Sequence, residues 1–263
     1  MQKKIKLVYD FTKQAKFYKY RPNYAPATID MLMTLVSGCV GGGSRCSNPT
    51  IKVADIGAGT GNLSVMLLER GCQVVAVEPN DAMREIGLER TNEKDIKWVK
   101  AIGVDSTLES NVFDWVTFGS SFSVMDRREA LLESYRLLRK DRYFSCMWNH
   151  RDFNDPFQKI AEDVIREFIP HYSGGIRRED QKPYLLEQKD LFDNIVYIEE
   201  DFYFHQSLEN YINAWRSVQN NYWNLETKEG IELFEKIIIK WEKELPKEMD
   251  IKYTTRAWSA RKV

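Results

Sequence analysis

The sequence is poor in cysteine, and the few cysteines that it has are widely spaced. They stand at positions 39, 46, 72 and 146, and no two of them form a Cys-x-x-Cys pair. This spacing does not favour a zinc site, so no metal site is expected. Cys72 and Cys146 fall in a strand-like segment or at a helix end, and they are predicted to be buried thiols.

Long hydrophobic runs and an excess of one charge are also lacking. No stretch approaches the 18 apolar residues of a transmembrane helix, and no apolar segment of useful length follows the basic residues 1–6. Lysine and arginine total 38 against 39 acidic residues. This balance attracts neither nucleic acid nor an anionic membrane, so neither is expected as a partner. We expect a protein of the reducing cytoplasm.

What the chain has is a regular alternation of strand and helix patterns. Its 263 residues are enough for one large domain. The run at 74–77 is apolar throughout, which is typical of a central parallel strand covered on both faces. The alternation predicts an α/β fold with a doubly wound sheet. We predict strands over 50–55, 73–78, 96–100, 112–118 and 143–148, and helices over 62–70, 81–90 and 127–139.

Three segments are expected to form one structural domain around a seven-stranded, mostly parallel, Rossmann-like sheet. Residues 1–49 are predicted to form an N-terminal helical cap and a loop, with helices over 12–20 and 27–37. Residues 50–150 form the core of the domain. Residues 151–263 are expected to add the last strands, over 195–204 and 250–259, and a C-terminal helical insertion over the site, with helices at 156–169, 208–218 and 229–245.

A glycine-rich loop lies between the first predicted strand and the first helix of the core. It reads Asp55-Ile56-Gly57-Ala58-Gly59-Thr60-Gly61. Glycines adopt dihedral angles that other residues avoid, and they let a ligand approach the bare backbone. A strand before the loop and a helix after it are the context in which such a motif binds a nucleotide-like cofactor. A tight turn without a ligand is the alternative, but it does not require three glycines and an aspartate.

The spacing of the loop is Gly-x-Gly-x-Gly, whereas the dinucleotide fingerprint is Gly-x-Gly-x-x-Gly. It resembles motif I of the class I S-adenosylmethionine-dependent methyltransferases. The resemblance implies S-adenosylmethionine as the cofactor, lying across Ala58 and Asn62. It also implies that Glu78, at the end of the next strand, accepts the two ribose hydroxyls, with Pro79 and Met83 beside it. For Glu78 alone, a solvated strand end is the alternative.

The same resemblance extends to two later turns. After the third strand, Val104 and Asp105 are expected to flank the adenine, although Asp105 also fits a helix cap. After the fourth strand, Ser120, Ser121 and Phe122 occupy the place beneath the methyl group, with Phe122 as a wall. Some nucleic-acid and glutamine methyltransferases have Asn/Asp-Pro-Pro-Tyr there, so those substrates are disfavoured.

The N-terminal segment resembles small-molecule methyltransferases of the domain 11 or 25 type. Residues 17–24 are similar to their Tyr-x-x-x-Arg-Pro-x-Tyr pattern, and residues 148–152 match a Trp-Asn-x-Arg-Asp stretch. The resemblance implies that Tyr20 and Arg21 cover the cofactor, with Arg21 binding its carboxylate; a surface arginine is the alternative. Residues 139–142 depart from the family, which has a Pro-Gly-Gly turn there.

Candidate catalytic groups are scarce, because the chain has three histidines. His150 and His205 follow the fifth and sixth strands, at the edge where ligands bind in such sheets, and Tyr18 is a further candidate. For each histidine a satisfied or solvated side chain is the alternative. The expected function is methylation of oxygen or nitrogen on a small polar metabolite. The alternatives are a nicotinamide-dependent oxidoreductase and a non-catalytic S-adenosylmethionine-binding protein. Exchange of the cap between subunits allows a homo-oligomer.

Overall fold

A computed structural model of the chain describes residues 10–38, 50–173, 179–220 and 222–263. The predicted loop over 38–49 therefore lies outside the described residues except for Gly38, and Cys39 and Cys46 also lie outside them. Cys72 and Cys146 are buried thiols, as predicted.

All seven predicted strands form one sheet with the order β3-β2-β1-β4-β5-β7-β6. Neighbouring strands from β3 to β5 are parallel, whereas β7 is antiparallel to both β5 and β6. The prediction of a doubly wound, seven-stranded, mostly parallel sheet is confirmed. The strands are β1 (Lys52–Ile56), β2 (Gln73–Val77), β3 (Ile96–Val99), β4 (Phe113–Gly119), β5 (Leu138–Arg151), β6 (Phe192–Ser207) and β7 (Glu248–Lys262).

Eight α-helices are present in the described residues, and seven of them lie where helices were predicted. The exception is the six-residue helix α6, which carries too few residues to show a helical period. The predicted helix over 12–20 is shorter and is a 3-10 helix, Ala15–Tyr20; a second 3-10 helix covers Phe122–Val124. The α-helices are α1 (Pro26–Ser37), α2 (Asn62–Leu68), α3 (Asp81–Arg90), α4 (Arg127–Leu137), α5 (Pro156–Phe168), α6 (Lys182–Glu187), α7 (Leu208–Arg216) and α8 (Lys228–Glu244).

Three apolar clusters hold these elements together. One lies on the face of the sheet that α4 and α6 cover, and another lies on the opposite face, under α1 and α2. The third is built by α5, α7 and α8 against the ends of β6 and β7. In the described part of the chain, no helix has both the length and the apolar character needed to cross a bilayer.

The first residues of β5, where the resembled family has a Pro-Gly-Gly turn, form an irregular stretch of the strand instead. Asp141 has a left-handed backbone with φ of 60°, a conformation in which aspartate is tolerated better than most residues. Arg139 and Arg142 on either side form ion pairs with Asp114 on β4, at 2.9 and 3.3 Å. The departure from the resembled family therefore lies in an irregular stretch at the amino end of β5, away from the glycine loop.

The carboxyl ends of the parallel strands meet at one edge of the sheet. The strand order reverses between β1 and β4, which is the position where open α/β sheets bind ligands. The N-terminal 3-10 helix contacts α3 on one side of this edge and α7 on the other. The sheet edge is thus covered by a segment that precedes it in sequence and by helices that follow it.

Candidate functional site

The glycine loop bends sharply away from β1 and is tied to the end of β2. Gly57, Gly59 and Gly61 all have positive φ, at 66°, 59° and 81°. The amides of Gly57 and Ala58 donate to the carbonyl of Val77 at 2.8 and 3.0 Å. These bonds fix the loop at the carboxyl edge of the two central strands.

The three glycines are required for different reasons. A side chain on Gly57 would place its Cβ 2.5 Å from Cβ of Ser121, and one on Gly61 would lie 3.3 Å from the ring of Trp98. Around the corresponding position on Gly59, no atom of the described residues comes within 4 Å. Gly57 and Gly61 therefore allow protein packing, while Gly59 presents bare backbone to open space, as a cofactor cradle requires.

Glu78 stands beside Gly59 at the end of β2. Its Oε2 accepts a hydrogen bond from the amide of Gly59 and its Oε1 accepts one from the amide of Asn80, both at 2.8 Å. Burial raises the pKa of Glu78, and the two amides oppose that shift by stabilising the carboxylate. Each oxygen keeps a second lone pair, so the carboxylate fits a pair of vicinal hydroxyls.

Asp55 lies beneath the loop and is fully buried. Its two carboxylate oxygens accept hydrogen bonds from Ser64 on α2 at 2.6 Å and from Thr117 on β4 at 3.0 Å. Burial raises its pKa to about 6, although these two hydroxyls stabilise the ionised form. Asp55 therefore ties β1 to the elements on either side of it and holds the loop from below.

The turn after β3, where Val104 and Asp105 were predicted to flank the adenine, is supported from α4. Asp105 is exposed, with its amide donating to the carbonyl of Ile102 at 3.1 Å. The next residue, Ser106, is buried, and both its amide and its hydroxyl donate to Glu133, the amide at 2.9 Å. Glu133 thereby positions the turn; its only signal in the sequence is the Glu-x-x-Arg spacing that pairs it with Arg136.

Of the three residues after β4, two serines lie at the candidate site and the phenylalanine packs in the core. Ser120 has a φ of 61°, and its hydroxyl lies 3.0 Å from the hydroxyl of Tyr24. Ser121 donates to the carbonyl of Ile56 at 2.6 Å. Phe122, in contrast, is fully buried and packs on Phe118 and other core aromatics. It contributes to the core rather than to an open wall of the site.

The N-terminal segment passes over the candidate site and is held there by hydrogen bonds to distant parts of the chain. Arg21 stacks on the ring of Tyr18, with Cζ 4.0 Å from the ring centroid, and binds Ser217 after α7. On the other side, Asn80 donates to Asp10 and Thr12 at 3.1 and 3.0 Å. Tyr20 ends the 3-10 helix and is half-buried.

Asn149 on β5 also holds the N-terminal segment by hydrogen bonds. Its amide nitrogen donates to the carbonyls of Pro22 and Asn23 at 3.2 and 2.9 Å, and its oxygen accepts from Thr255. The sequence pattern included Asn149 in the Trp-Asn-x-Arg-Asp stretch but assigned it no role.

The two candidate histidines lie in different places. His150 is buried near the end of β5, opposite Thr254 of β7. His205 lies on β6, the last strand of the sheet, where its side chain is 65% exposed and its Nδ1 is 2.9 Å from Asp250. The structure therefore places His150 on the strand that follows β4 in the sheet, and it places His205 two strands further out.

The remaining predicted contact residues surround the loop. Pro79 is half-buried between Glu78 and Asn80, and Met83, whose amide is capped by Asn80, is a buried residue in the first turn of α3. Asn62 begins α2 next to the loop, and Val104 is half-buried. Asn80, which holds both α3 and the N-terminal segment, was not predicted.

Comparison with known proteins agrees with this arrangement. Residues 54–146 match a model of the methyltransferase domain family. The chain is 31% identical to an uncharacterized methyltransferase of Mycobacterium bovis over 50% of this chain and 48% of the relative. It is 26% identical to a ubiquinone/menaquinone biosynthesis C-methyltransferase of Zymomonas mobilis, over 54% of this chain and 61% of the relative. The chain thus spans about half the length of the first of these relatives.

Two solved structures share the fold. A protein of Anaeromyxobacter dehalogenans, assigned as a type II methyltransferase, has a TM-score of 0.55 at 15% identity over 92% of this chain and 97% of its own. A phosphoethanolamine N-methyltransferase of Haemonchus contortus has a TM-score of 0.51 at 15% identity, covering 94% of this chain and 56% of its own. At these identities the likeness concerns the fold. The stretch that matches the methyltransferase domain model contains the glycine loop and Glu78, and the whole sheet has the fold of methyltransferases of known structure.

Proposed function

We propose that the chain binds S-adenosylmethionine at the glycine loop and methylates an oxygen or nitrogen atom of a small polar metabolite. The relation between Gly59 and Glu78 carries this proposal. Gly59 faces open space with a left-handed backbone, and its amide orients a carboxylate whose second lone pairs suit the ribose hydroxyls. A cofactor with a ribose and no pyrophosphate suits a loop of this spacing.

Other residues around the loop suit the rest of the cofactor. Asp105 offers an exposed carboxylate for the adenine amino group, on a turn held by Glu133. Arg21 offers a planar guanidinium for the methionine carboxylate. Ser120 and Tyr24 close the end of β4, where the methyl group is expected.

Bound S-adenosylmethionine supplies a methyl group on a sulfonium, which is already activated for in-line transfer. The chain's own contribution is therefore to position the acceptor and exclude water. Tyr18 and His150 are our candidates to hydrogen-bond the acceptor or to take its proton. His205 is left out because it is exposed on the edge strand and bound to carboxylates.

Calorimetry with S-adenosylmethionine and with NAD tests the cofactor. We expect S-adenosylmethionine to bind to the native chain and to bind more weakly to Glu78→Gln. An Asp81→Asn variant, which changes an exposed carboxylate three residues away, is the matched control. Binding of NAD without S-adenosylmethionine would instead favour a nicotinamide-dependent oxidoreductase.

Transfer is tested with methyl-labelled S-adenosylmethionine and a metabolite extract that also contains RNA and protein. Label on oxygen or nitrogen of a small molecule is the expected result. Label on carbon, as the name of the Zymomonas relative suggests for that protein, would contradict the proposed acceptor atom. Label only in RNA or protein would contradict the substrate class. Cofactor binding without transfer to any fraction would favour a non-catalytic binding protein.

A further inference from the structure

Between β3 and β4 the chain forms an irregular segment, residues 105–110, which is attached to helix α4 through one ion pair. Glu133 and Arg136, one turn apart on α4, form that pair, with 2.7 Å between Oε2 of Glu133 and Nε of Arg136. Both side chains also bind the segment, although neither residue is among those assigned to the cofactor. The first residue of the segment is Asp105, which is exposed and is proposed to contact the adenine.

Glu133 holds the beginning of this segment, directly after Asp105. Its Oε1 accepts hydrogen bonds from the amide of Ser106, at 2.9 Å, and from the hydroxyl of the same residue. Glu133 is 8% exposed, and Ser106 is fully buried. Burial opposes ionisation of the carboxyl, but hydrogen bonds from Arg136 and Ser106 outweigh it, so the pKa of Glu133 is lowered. An ionised carboxylate therefore fixes the backbone next to Asp105.

Arg136 holds the other end of the segment. Its Nη1 donates to the carbonyl of Leu108 at 2.8 Å and to the hydroxyl of Ser110 at 2.7 Å, and its Nη2 donates to Oε1 of Glu133 at 2.8 Å. Between the two attachments, Thr107 has a left-handed backbone with φ of 60°, a conformation that costs a β-branched residue free energy. The attachments on both sides hold this strained turn in one conformation.

Arg136 also interacts with Asp105 through its charge. The hydrogen bond to Glu133 is the largest cause of the raised pKa of Arg136, and the negative charge of Asp105 adds to it. Two carboxylates thus attract one guanidinium. Because Glu133 is nearly buried and accepts hydrogen bonds from two nitrogens of Arg136, it neutralises the guanidinium, and the exposed carboxylate of Asp105 remains free to bind a ligand.

We propose that Glu133 is a positioning residue for Asp105, and that through it the site selects a cofactor whose purine carries an exocyclic amino group. The inference rests on the proposed function, because it concerns how the same site recognises S-adenosylmethionine. Glu133 acts in two ways: its bonds to Ser106 set the place of the Asp105 carboxylate, and its charge occupies Arg136. A carboxylate accepts an N–H but repels a carbonyl oxygen, so a correctly placed Asp105 distinguishes adenine from hypoxanthine.

The test compares the calorimetric affinities of the full chain for S-adenosylhomocysteine and for S-inosylhomocysteine, in which a carbonyl oxygen replaces the amino group. We expect the native chain to bind S-adenosylhomocysteine about tenfold or more tightly, because a site that binds an N–H rejects the analogue that lacks it. Asp105→Ala should abolish this preference. Glu133→Gln keeps an acceptor for Ser106 but leaves Arg136 free to pair with Asp105, so the preference should fall by about threefold or more.

Two further variants complete the test. Ser106→Ala removes the hydroxyl bond to Glu133 and keeps the amide bond, so it should lower the preference by about twofold to fivefold. Glu129→Gln is the matched control, because Glu129 is an exposed carboxylate one turn earlier on α4; it should keep the native preference. Near-ultraviolet circular dichroism reports whether each variant is folded. If Glu133→Gln does not fold, the result for Ser106→Ala decides.

The outcomes distinguish this inference from a structural role and from the proposed function. If Glu133→Gln and Ser106→Ala weaken both ligands by the same factor, or weaken neither, the preference is unchanged and the inference is wrong. If the native chain binds both ligands equally, the inference is also wrong, but the proposed function stands because S-adenosylhomocysteine is bound. Failure of S-adenosylhomocysteine to bind the native chain would overturn the proposed function, and the inference with it.

Discussion

Arg21 and Ser217 lie 196 residues apart in the chain and are joined by two hydrogen bonds. Nε of Arg21 donates to the hydroxyl of Ser217 at 2.7 Å, and Nη2 donates to the backbone carbonyl at 2.6 Å. The N-terminal segment is thereby attached to the helices that follow the sheet. Both parts of this cover must stay in place together for the sheet edge beneath them to be closed.

The first prediction concerns this attachment. Replacing Arg21 by alanine removes two hydrogen bonds from a charged donor and the stacking on Tyr18, with an expected cost of about 2 kcal/mol. Amide hydrogen exchange over residues 10–24 should accelerate by more than tenfold, because these amides exchange by local opening. Lys19→Ala changes an exposed side chain of the same 3-10 helix and is the control. Equal exchange rates in Arg21→Ala and the native chain would contradict the prediction.

A second prediction compares two glycines of the loop. Gly57→Ala places Cβ 2.5 Å from Cβ of Ser121 and keeps a φ of 66°, so it combines a steric clash with left-handed strain and should cost about 2–5 kcal/mol in the free energy of unfolding. Gly59→Ala keeps the strain alone, with an expected cost of about 1–2 kcal/mol. Thermal and denaturant unfolding measure both values.

The same two glycine variants distinguish an effect on protein stability from an effect on cofactor binding. Because the Cβ of Gly59→Ala points into the space where the cofactor is proposed to lie, this milder variant should lose more affinity for S-adenosylmethionine than its stability loss accounts for. Calorimetry on the folded variant measures that affinity. Native affinity in Gly59→Ala would show that the open side of the loop is not the binding surface.

The third prediction is a pH dependence of cofactor binding through Glu78. Burial raises the pKa of this carboxyl above its ordinary value, and only the ionised carboxylate accepts hydrogen bonds from two hydroxyls and two amides. Affinity for S-adenosylmethionine should therefore be highest above this raised pKa and fall as the pH drops through it.

Replacing Glu78 by glutamine tests the same carboxylate. The variant should lose about 1.5–3 kcal/mol of binding free energy at neutral pH and should lack the acidic fall in affinity. Calorimetric titrations from neutral to acidic pH measure both effects. A native pH profile in Glu78→Gln would assign the titration to another group.

A fourth prediction concerns stability and Asp55. Its pKa is about 6 in the folded chain, raised by burial, whereas an unfolded aspartate titrates near 3.9. A raised carboxyl pKa contributes stability below the unfolded pKa, and that contribution is lost as the pH rises from about 4 through 6. The loss is on the order of 3 kcal/mol and is complete at neutral pH.

Asp55→Asn isolates this contribution. The difference in unfolding free energy between the native chain and Asp55→Asn should decline from pH 4 to pH 6 and then remain flat. Asp95→Asn, at an exposed position before β3, should give a difference that changes much less over this range. A flat difference for Asp55→Asn would mean that Asp55 is ionised in the folded chain at pH 4.

Most of the fold follows from local patterns. The uniformly apolar run of β2 predicted a strand covered on both faces, and Val74, Val75, Ala76 and Val77 are all buried. Glu78 was placed correctly at the end of that strand, since a strand and its first following residue are set by neighbouring positions. Helix α6 escaped prediction because six residues carry no readable period.

The positions that sequence alone placed less well depend on distant parts of the chain. Phe122 follows β4 as predicted, but its ring is buried because Phe118 and Phe144 lie beneath it. His205 lies near the end of β6, at the carboxyl edge of the sheet. However, β7 lies between β5 and β6 and is antiparallel to both, so His205 is two strands away from β5. Neither packing partner nor strand order is a property of the local sequence.

The sequence by itself determined the alternation of strands and helices and the glycine loop with its resemblance to methyltransferases, because backbone dihedrals and hydrophobic periodicity act over a few residues. Only the tertiary structure decided what meets across the sheet edge: Arg21 with Ser217, Asn80 with the N-terminal segment, and Arg151 with Trp215. These contacts join residues dozens to nearly 200 positions apart, and they arise because strand order and helix packing bring those elements to the same edge.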